Sequence, residues 1–142
     1  MKTIKILLSS NCLRYAKKEG GYGKYYQLTK FKGVKVVKTK STAIEETCLL
    51  KKANLVDFTP KCYGLVEVYF QANKKKKYFG ILQEHIEGET DQTGWIEKEQ
   101  LQEKLRQKTG INHFDLHNKN IITTKEGKHY VIDFTPSWAE LV

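Results

Sequence analysis

The chain has 142 residues, of which 39% are hydrophobic and 29% are charged, and this composition indicates one globular domain rather than a disordered chain. Its net charge of +9 is compatible with a nucleic acid, an anionic partner or a phosphate-rich ligand. No apolar stretch reaches the ~18 residues of a transmembrane helix, so no membrane partner is expected. Cys12, Cys48 and Cys62 have no metal-type spacing and favour reduced thiols in an intracellular compartment.

The N-terminal part of the chain predicts strands joined by a glycine turn. Residues 1–8 are basic and then apolar, too short for a signal peptide, and predict a strand. Residues 12–18 and 24–31 predict a hairpin around the glycine-rich residues 19–23. Glycine lets backbone N–H groups approach phosphates closely, although a glycine turn by itself usually marks only a turn.

A third strand is predicted over residues 34–38, where apolar and basic residues alternate. The period of two places Val34, Val36 and Lys38 on one face. Two interpretations of Lys38 stay open at this point. It is either an edge-strand lysine that reaches solvent or a lysine directed at phosphates beneath the glycine turn.

A helix is predicted over residues 43–53, with Ser41 or Thr42 as its N-cap. Glu46 falls on a largely apolar face of this helix. A glutamate buried there requires a cation, because an unpaired buried charge is costly. Lys38 is the predicted partner.

Two further strands are predicted over residues 62–70 and 78–85, which are rich in β-branched and aromatic residues. The run Lys74–Lys77 lies between them and contains no aromatic residue or arginine. It therefore indicates a solvated hairpin tip in preference to a nucleic-acid-binding patch. The pattern breaks near residue 88, which predicts a division into residues 1–88 and 89–142.

The second part of the chain begins with a predicted helix that runs from Trp95 to about Lys108 and ends at Gly110. Its apolar positions are Trp95, Ile96, Leu101 and Leu105.

The most informative stretch follows this helix. It contains His-x-Asp-Leu-x-x-x-Asn from His113 to Asn120, and a predicted hairpin then leads to Asp133 at the end of an apolar run. One loop thus offers a carboxylate and an amide, and the hairpin offers a second carboxylate. These oxygen groups suit a hard cation and a triphosphate, with one carboxylate left to take a hydroxyl proton.

In their order along residues 12–135, these patterns resemble the protein-kinase-like fold. The resemblance implies an α+β fold with a five-stranded antiparallel N-lobe, one helix and a strongly reduced C-lobe. The matching segments are the glycine-rich loop (Gly20, Gly21, Tyr22 and Gly23), the strand lysine (Val36-Val37-Lys38), the helix glutamate (Glu46), the hinge (Gln83 to Ile86), the catalytic loop (His113 to Asn120) and an Asp-Phe-Gly-like motif (Asp133-Phe134-Thr135).

The resemblance also implies an ATP- and Mg²⁺-dependent phosphotransferase with these roles. Asp115 is the catalytic base, and Lys38, held by Glu46, contacts the α- and β-phosphates. The backbones of Gly20, Gly21, Tyr22 and Gly23 cover the phosphates, and those of Glu84 and Ile86 bind the adenine. Asn120 and Asp133 bind Mg²⁺, and ATP lies between the five-stranded lobe and the catalytic loop.

Several departures from the kinase pattern leave three functions open. His117 and Thr135 are more similar to aminoglycoside, choline and lipopolysaccharide-core phosphotransferases. The short stretch after Asp133 resembles mini-kinases among bacterial secreted effectors, which implies cytoplasm or a host cytosol as the compartment. A minimal serine/threonine protein kinase with a protein substrate and a bracing partner is favoured. A small-molecule phosphotransferase and a pseudokinase that binds nucleotide or a partner are the alternatives.

Overall fold

The structure is a computed structural model that describes residues 4–8, 14–17, 23–37, 39–113, 116, 118–134 and 139–141, with only the backbone described for 14–17, 23 and 139–141. It divides into two compact units. The first comprises Met1–Thr47 and Cys62–His85, and the second comprises Cys48–Lys61 and Ile86–Val142. The predicted division after residue 88 did not anticipate that residues 48–61 group with the second unit.

The first unit contains a six-stranded sheet with the order β1-β5-β6-β4-β3-β2. Its strands are β1 (Ile4–Leu8), β2 (Arg14–Lys17), β3 (Gly23–Gln27), β4 (Lys32–Val37), β5 (Cys62–Phe70) and β6 (Asn73–Glu84). The strands from β2 to β6 pair antiparallel, as predicted for five strands. The prediction of a purely antiparallel sheet was wrong in one respect, because β1 adds to β5 in parallel and makes the sheet mixed.

One face of this sheet carries an apolar cluster. Its most buried members are Leu8, Val34, Val36, Val66, Val68 and Leu82. Side chains alternate between the two faces of a strand, so Val34 and Val36 enter this cluster while Lys35 and Val37 point to the opposite face. Every residue of β4 after Lys32 is buried, which shows that this strand is covered on both faces.

The lysine run belongs to β6 rather than to the turn before it. The turn consists of Gln71 and Ala72, and Lys74–Lys77 follow within β6 where its register with β5 shifts. All four lysines are exposed, as predicted for a solvated segment. Lys77 lies 3.6 Å from Glu67, and the Lys76 ammonium lies 5.0 Å from the centroid of the Tyr78 ring. The run is therefore a solvated part of the strand.

Helix α1 spans Lys40–Ala53 and starts earlier than predicted. The Thr42 backbone N–H donates to Oγ1 of Thr39 at 3.2 Å, so Thr39 supplies the N-terminal capping oxygen. The prediction of Ser41 or Thr42 as the cap was wrong because Thr39 satisfies the first turn. Lys51 and Lys52 occupy the last turn, where positive charge is favourable to the helix dipole.

The second unit contains helix α2 (Trp95–Thr109), which ends as predicted at Gly110 with a left-handed φ of 76°. The predicted apolar face is only partly buried. Leu105 is fully buried, whereas Trp95 and Ile96 are 69% and 65% exposed. Among the described residues, no helix is long and apolar enough to cross a membrane.

Four short strands complete the described part of the second unit. They are β7 (Ile111–His113), β8 (Ile121–Thr123), β9 (His129–Val131) and β10 (Ala139–Leu141). The predicted hairpin is formed by β8 and β9, and β10 pairs antiparallel with β7, a pairing that the sequence did not predict. The segment after Asp133 thus returns to the strand that leads into the His113–Asn120 loop.

Candidate functional site

A buried ion pair lies on the face of β4 opposite the apolar cluster. Nζ of Lys35 lies 2.9 Å from Oε2 of Glu46 on α1, and the two side chains are only 10% and 3% exposed. Removing two charges from water is costly, and only close pairing and further polar contacts offset that cost. A charge pair kept in such a position is a candidate for function, because an apolar pair would fill the space more cheaply.

This pair confirms the prediction that Glu46 requires a cation, and it shows Lys35 as a cation that was not predicted. The predicted partner, Lys38, lies outside the described residues. Lys35 was not predicted, because the functional lysine was expected on the face of Val34 and Val36. Through Lys35, Glu46 contacts the opposite face of β4.

The predicted phosphate loop is described only at its end. Gly20, Gly21 and Tyr22 lie outside the described residues, and Gly23 is the first residue of β3. Gly23 pairs with Val37, and Tyr25 pairs with Lys35. These pairings set the register between β3 and β4. Gly23, the last residue of the glycine turn, therefore lies two residues before Tyr25, which faces Lys35.

The predicted hinge begins at the end of β6. Gln83 and Glu84 pair with Gly33 and Lys32, and the His85 N–H donates to the carbonyl oxygen of Phe31 at 2.9 Å. Backbone groups of successive residues in a strand point to opposite edges. The Glu84 backbone therefore points away from β4, towards the edge of β6 that faces β5. Ile86 is half-buried and belongs to the second unit.

The catalytic-loop motif is described in part, within the second unit. Asp115 and His117 lie outside the described residues. Leu116 is buried, with 8% of its surface exposed. Asn120 is 3% exposed and ends a short 3₁₀ helix that spans Asn118–Asn120.

Ile132, the residue before Asp133, is held at both of its backbone polar groups. Its N–H donates to the Asn120 carbonyl oxygen at 2.9 Å, and its own carbonyl accepts a hydrogen bond from Nε2 of His113 at 3.2 Å. Since a carbonyl only accepts, Nε2 of His113 must carry a proton. His113 is fully buried and meets Phe134 edge-on, with ring centroids 5.4 Å apart. These contacts make His113 a brace for the backbone beside Asp133.

Asp133 has a backbone φ of 66°, in the left-handed region that residues other than glycine seldom adopt. Such a conformation persists only where the surroundings impose it, and the contacts of Ile132 and Phe134 supply that restraint. Strained backbone of this kind concentrates at functional sites. Asp133 itself is half-buried.

Asn120 and Asp133 carry an amide and a carboxylate, the oxygen donor types that a hard divalent cation takes. The Ile132–Asn120 hydrogen bond links the two segments, and the pair supplies amide and carboxylate oxygens. Magnesium keeps few protein ligands and takes others from water and substrate phosphates, so two residues are sufficient. Among the described residues there is no cluster of three or more His, Cys, Asp or Glu side chains that could hold a metal by itself.

Two further elements brace this site inside the second unit. The Val131 N–H in β9 donates to the carbonyl oxygen of Phe58, in the loop that follows α1. The pairing of β10 with β7 places Ala139 opposite His113. Neither support was predicted, because neither short segment has a local pattern that reveals its partner.

Comparison with protein-family models and with curated proteins gives no match to this chain.

Proposed function

We propose that the protein is an ATP- and Mg²⁺-dependent phosphotransferase that acts on a hydroxyl group, as a minimal serine/threonine protein kinase. The observation that carries this proposal is the restraint of Asp133. Asp133 has a φ of 66°, and the preceding residue, Ile132, restrains it. The Ile132 carbonyl accepts a hydrogen bond from His113, and the Ile132 N–H donates one to the Asn120 carbonyl. A carboxylate held next in the chain to such a residue, together with an amide donor, offers the oxygen ligands that suit a metal–triphosphate.

The buried ion pair supplies the second part of the proposal. Lys35 is assigned the contact with the α- and β-phosphates, in place of Lys38, because Glu46 holds its ammonium group at 2.9 Å. A lysine oriented in this way acts as a fixed point charge for phosphate oxygens. The backbones of Gly20 to Gly23 are assigned to the phosphates, and those of Glu84 and Ile86 to the adenine, by the resemblance.

In the proposed reaction, the acceptor hydroxyl oxygen forms a bond to the γ-phosphorus and the bond to the β–γ bridging oxygen breaks. Asp115 takes the hydroxyl proton, and ADP leaves with the electron pair of the broken bond. Asn120 and Asp133 would hold magnesium. When bound, magnesium would offset the negative charge of the β- and γ-phosphates. Placement and electrostatics provide most of the rate gain in this chemistry.

The acceptor is proposed to be a protein, and a bracing or activating protein partner belongs to the same proposal. The assigned compartment is the cytosol, of the producing cell or of a host. His117 and Thr135 favour a small-molecule acceptor as the second candidate, because those two residues are more similar to the aminoglycoside-type phosphotransferases. The exposed lysine run gives no reason to assign nucleic acid as a partner.

Radiolabelled ATP with magnesium tests the proposal. The purified protein should label itself or a generic protein substrate, and Asp115→Ala and Asp133→Ala should each abolish the labelling. Parallel reactions with aminoglycosides, choline and sugars separate the two acceptor classes. Labelling that survives both substitutions would come from a contaminant and would overturn the assignment.

A further inference from the structure

Tyr25 lies on the face of the sheet that carries the buried lysine. Residues paired across antiparallel strands point to the same face, and Tyr25 pairs with Lys35. Lys35 pairs in turn with Ile81, and Gly33 pairs with Gln83, so the same face continues to the end of β6. The Tyr25 side chain thus lies on the surface that runs from Lys35 towards the predicted hinge.

Gly33 leaves the space that the Tyr25 side chain occupies. A Cβ built on Gly33 would overlap the hydroxyl oxygen and the ring of Tyr25, so the ring rests directly on the glycine backbone. Gly33 is buried, and its φ lies outside the left-handed region. Its lack of a side chain therefore serves close approach rather than an unusual backbone conformation.

The same end of the ring, which carries the hydroxyl group, also contacts His85. The Tyr25 hydroxyl lies 2.8 Å from Nδ1 of His85, and the two rings are 18° from parallel with centroids 5.7 Å apart. The His85 backbone is in turn bonded to Phe31. Tyr25 is half-buried, so its side chain retains access to solvent while His85 contacts its hydroxyl group.

We propose that Tyr25 occupies the subsite of the nucleotide base and must move away before ATP binds. This inference rests on the proposed function, which assigns phosphates to Lys35 and the base to the Glu84 backbone. Tyr25 lies on the face of the sheet that joins those two positions. Its aromatic ring and polar group make the kinds of contact that a nucleotide base would make there. The hydroxyl end of its ring lies against Gly33, and its hydroxyl group contacts His85 beside the hinge. The protein thus carries an internal competitor for its own nucleotide.

The proposal predicts a specific pattern of affinities. A site closed by a side chain binds its ligand more weakly in proportion to the fraction of closed molecules. Tyr25→Val is too short to reach His85 and should tighten binding of adenosine and of magnesium-ATP by about tenfold. Tyr25→Phe keeps the ring and loses the hydroxyl contact, so its gain should be smaller, about threefold. Inorganic tripolyphosphate has no base and should bind all variants equally.

Isothermal titration of the full chain with adenosine, magnesium-ATP and tripolyphosphate measures these affinities. Tyr26→Val is the matched control, since Tyr26 is the adjacent residue and packs on the opposite face with the apolar cluster. It should leave all three affinities unchanged. Thermal unfolding of each variant checks that it is folded, and Tyr25→Phe keeps the test valid if Tyr25→Val does not fold.

Three results would contradict the inference, and they differ in what they say of the proposed function. If the wild type binds ATP and Tyr25→Val binds it equally or more weakly, Tyr25 does not compete with the base, while the proposed function stands. If Tyr25→Val also gains affinity for tripolyphosphate, the effect is not confined to the base subsite. If no variant binds ATP or adenosine, the proposed function fails and the inference fails with it.

Discussion

Lys35 and Glu46 form an ion pair of 2.9 Å in which both side chains are almost fully buried. The pair joins the strand that contributes to the apolar cluster with the helix that follows it. Because Val34 and Val36 point into that cluster, the side chain of Lys35 has only the helix-covered face available. The pair therefore couples strand and helix through a charge contact that tolerates little misplacement.

Removing one member of this pair should destabilise the fold. Glu46→Gln leaves the Lys35 ammonium buried without its carboxylate, and we expect a loss of about 3–5 kcal/mol in the free energy of unfolding. The double substitution Lys35→Met with Glu46→Leu should restore most of it, because an apolar pair carries no desolvation cost. Urea denaturation measures both values. Glu45→Gln, at the exposed neighbouring position, is the control, and a Glu46→Gln variant as stable as that control would refute the expectation.

The choice between the two candidate lysines can be made by activity. If Lys35 contacts the phosphates, Lys35→Met should lower the phosphoryl-transfer rate by about 10²–10⁴. Lys24→Met is the control, since Lys24 is exposed on β3 and pairs with Val36. Initial rates with radiolabelled ATP provide the comparison. A larger loss in Lys38→Met than in Lys35→Met would return the phosphate contact to Lys38.

The hydrogen bond from His113 to Ile132 predicts a separable effect on the position of Asp133. His113→Phe preserves an aromatic ring against Phe134 but leaves the Ile132 carbonyl without its donor, which should cost about 1–3 kcal/mol of stability. We expect the maximal rate of phosphoryl transfer to fall, because Asp133 loses its restraint. Steady-state kinetics and urea denaturation measure the two effects. A variant that loses stability while keeping full activity would show that His113 supports only the fold.

An acid-sensitive contact joins α2 to the β8–β9 hairpin in the second unit. The hydrogen bond from His129 and then that from the Gly94 backbone lower the pKa of Glu97 below its ordinary value of 4.5. A carboxyl group with a lowered pKa in the folded state stabilises the fold above pH 4.5, and that stabilisation disappears as the pH falls through the folded-state pKa.

The melting temperature as a function of pH tests this contact. Glu97→Gln should be less stable than the wild type above pH 4.5, and the two curves should converge in more acidic solution. Glu99→Gln, on an exposed position of the same helix, is the charge-matched control. A constant difference between wild type and Glu97→Gln across the acid range would contradict the prediction.

The parts of the fold that follow from local alternation were predictable. Strand β5 coincides with the predicted residues 62–70, and the end of α2 follows from Gly110. Lys35 was missed because a lysine between valines normally reads as a solvent-facing residue. The signal was nevertheless present, since Gly33 to Val37 form the nearly continuous apolar run of a strand buried on both faces, and a charge inside such a run requires a buried partner.

Long-range supports had no comparable local signal. The pairing of β10 with β7 and the contact of Val131 with Phe58 join segments far apart in the chain. The stacking of Tyr25 on Gly33 depends on strand register, which a single sequence does not specify. The predictions for Asp115, His117, Lys38, Thr135 and the turn residues before Gly23 lie outside the described residues and stay predictions.

The most direct test of the proposed phosphotransferase compares two aspartates with the same unusual backbone conformation. Asp133 and Asp91 have φ values of 66° and 62°. Asparagine also tolerates this region, so Asp→Asn removes charge without adding strain at either position. With radiolabelled ATP and magnesium, Asp133→Asn should reduce the transfer rate by about 10²–10⁴, while Asp91→Asn should retain it within about twofold. An Asp133→Asn protein that transfers phosphate at the wild-type rate would contradict the proposed function.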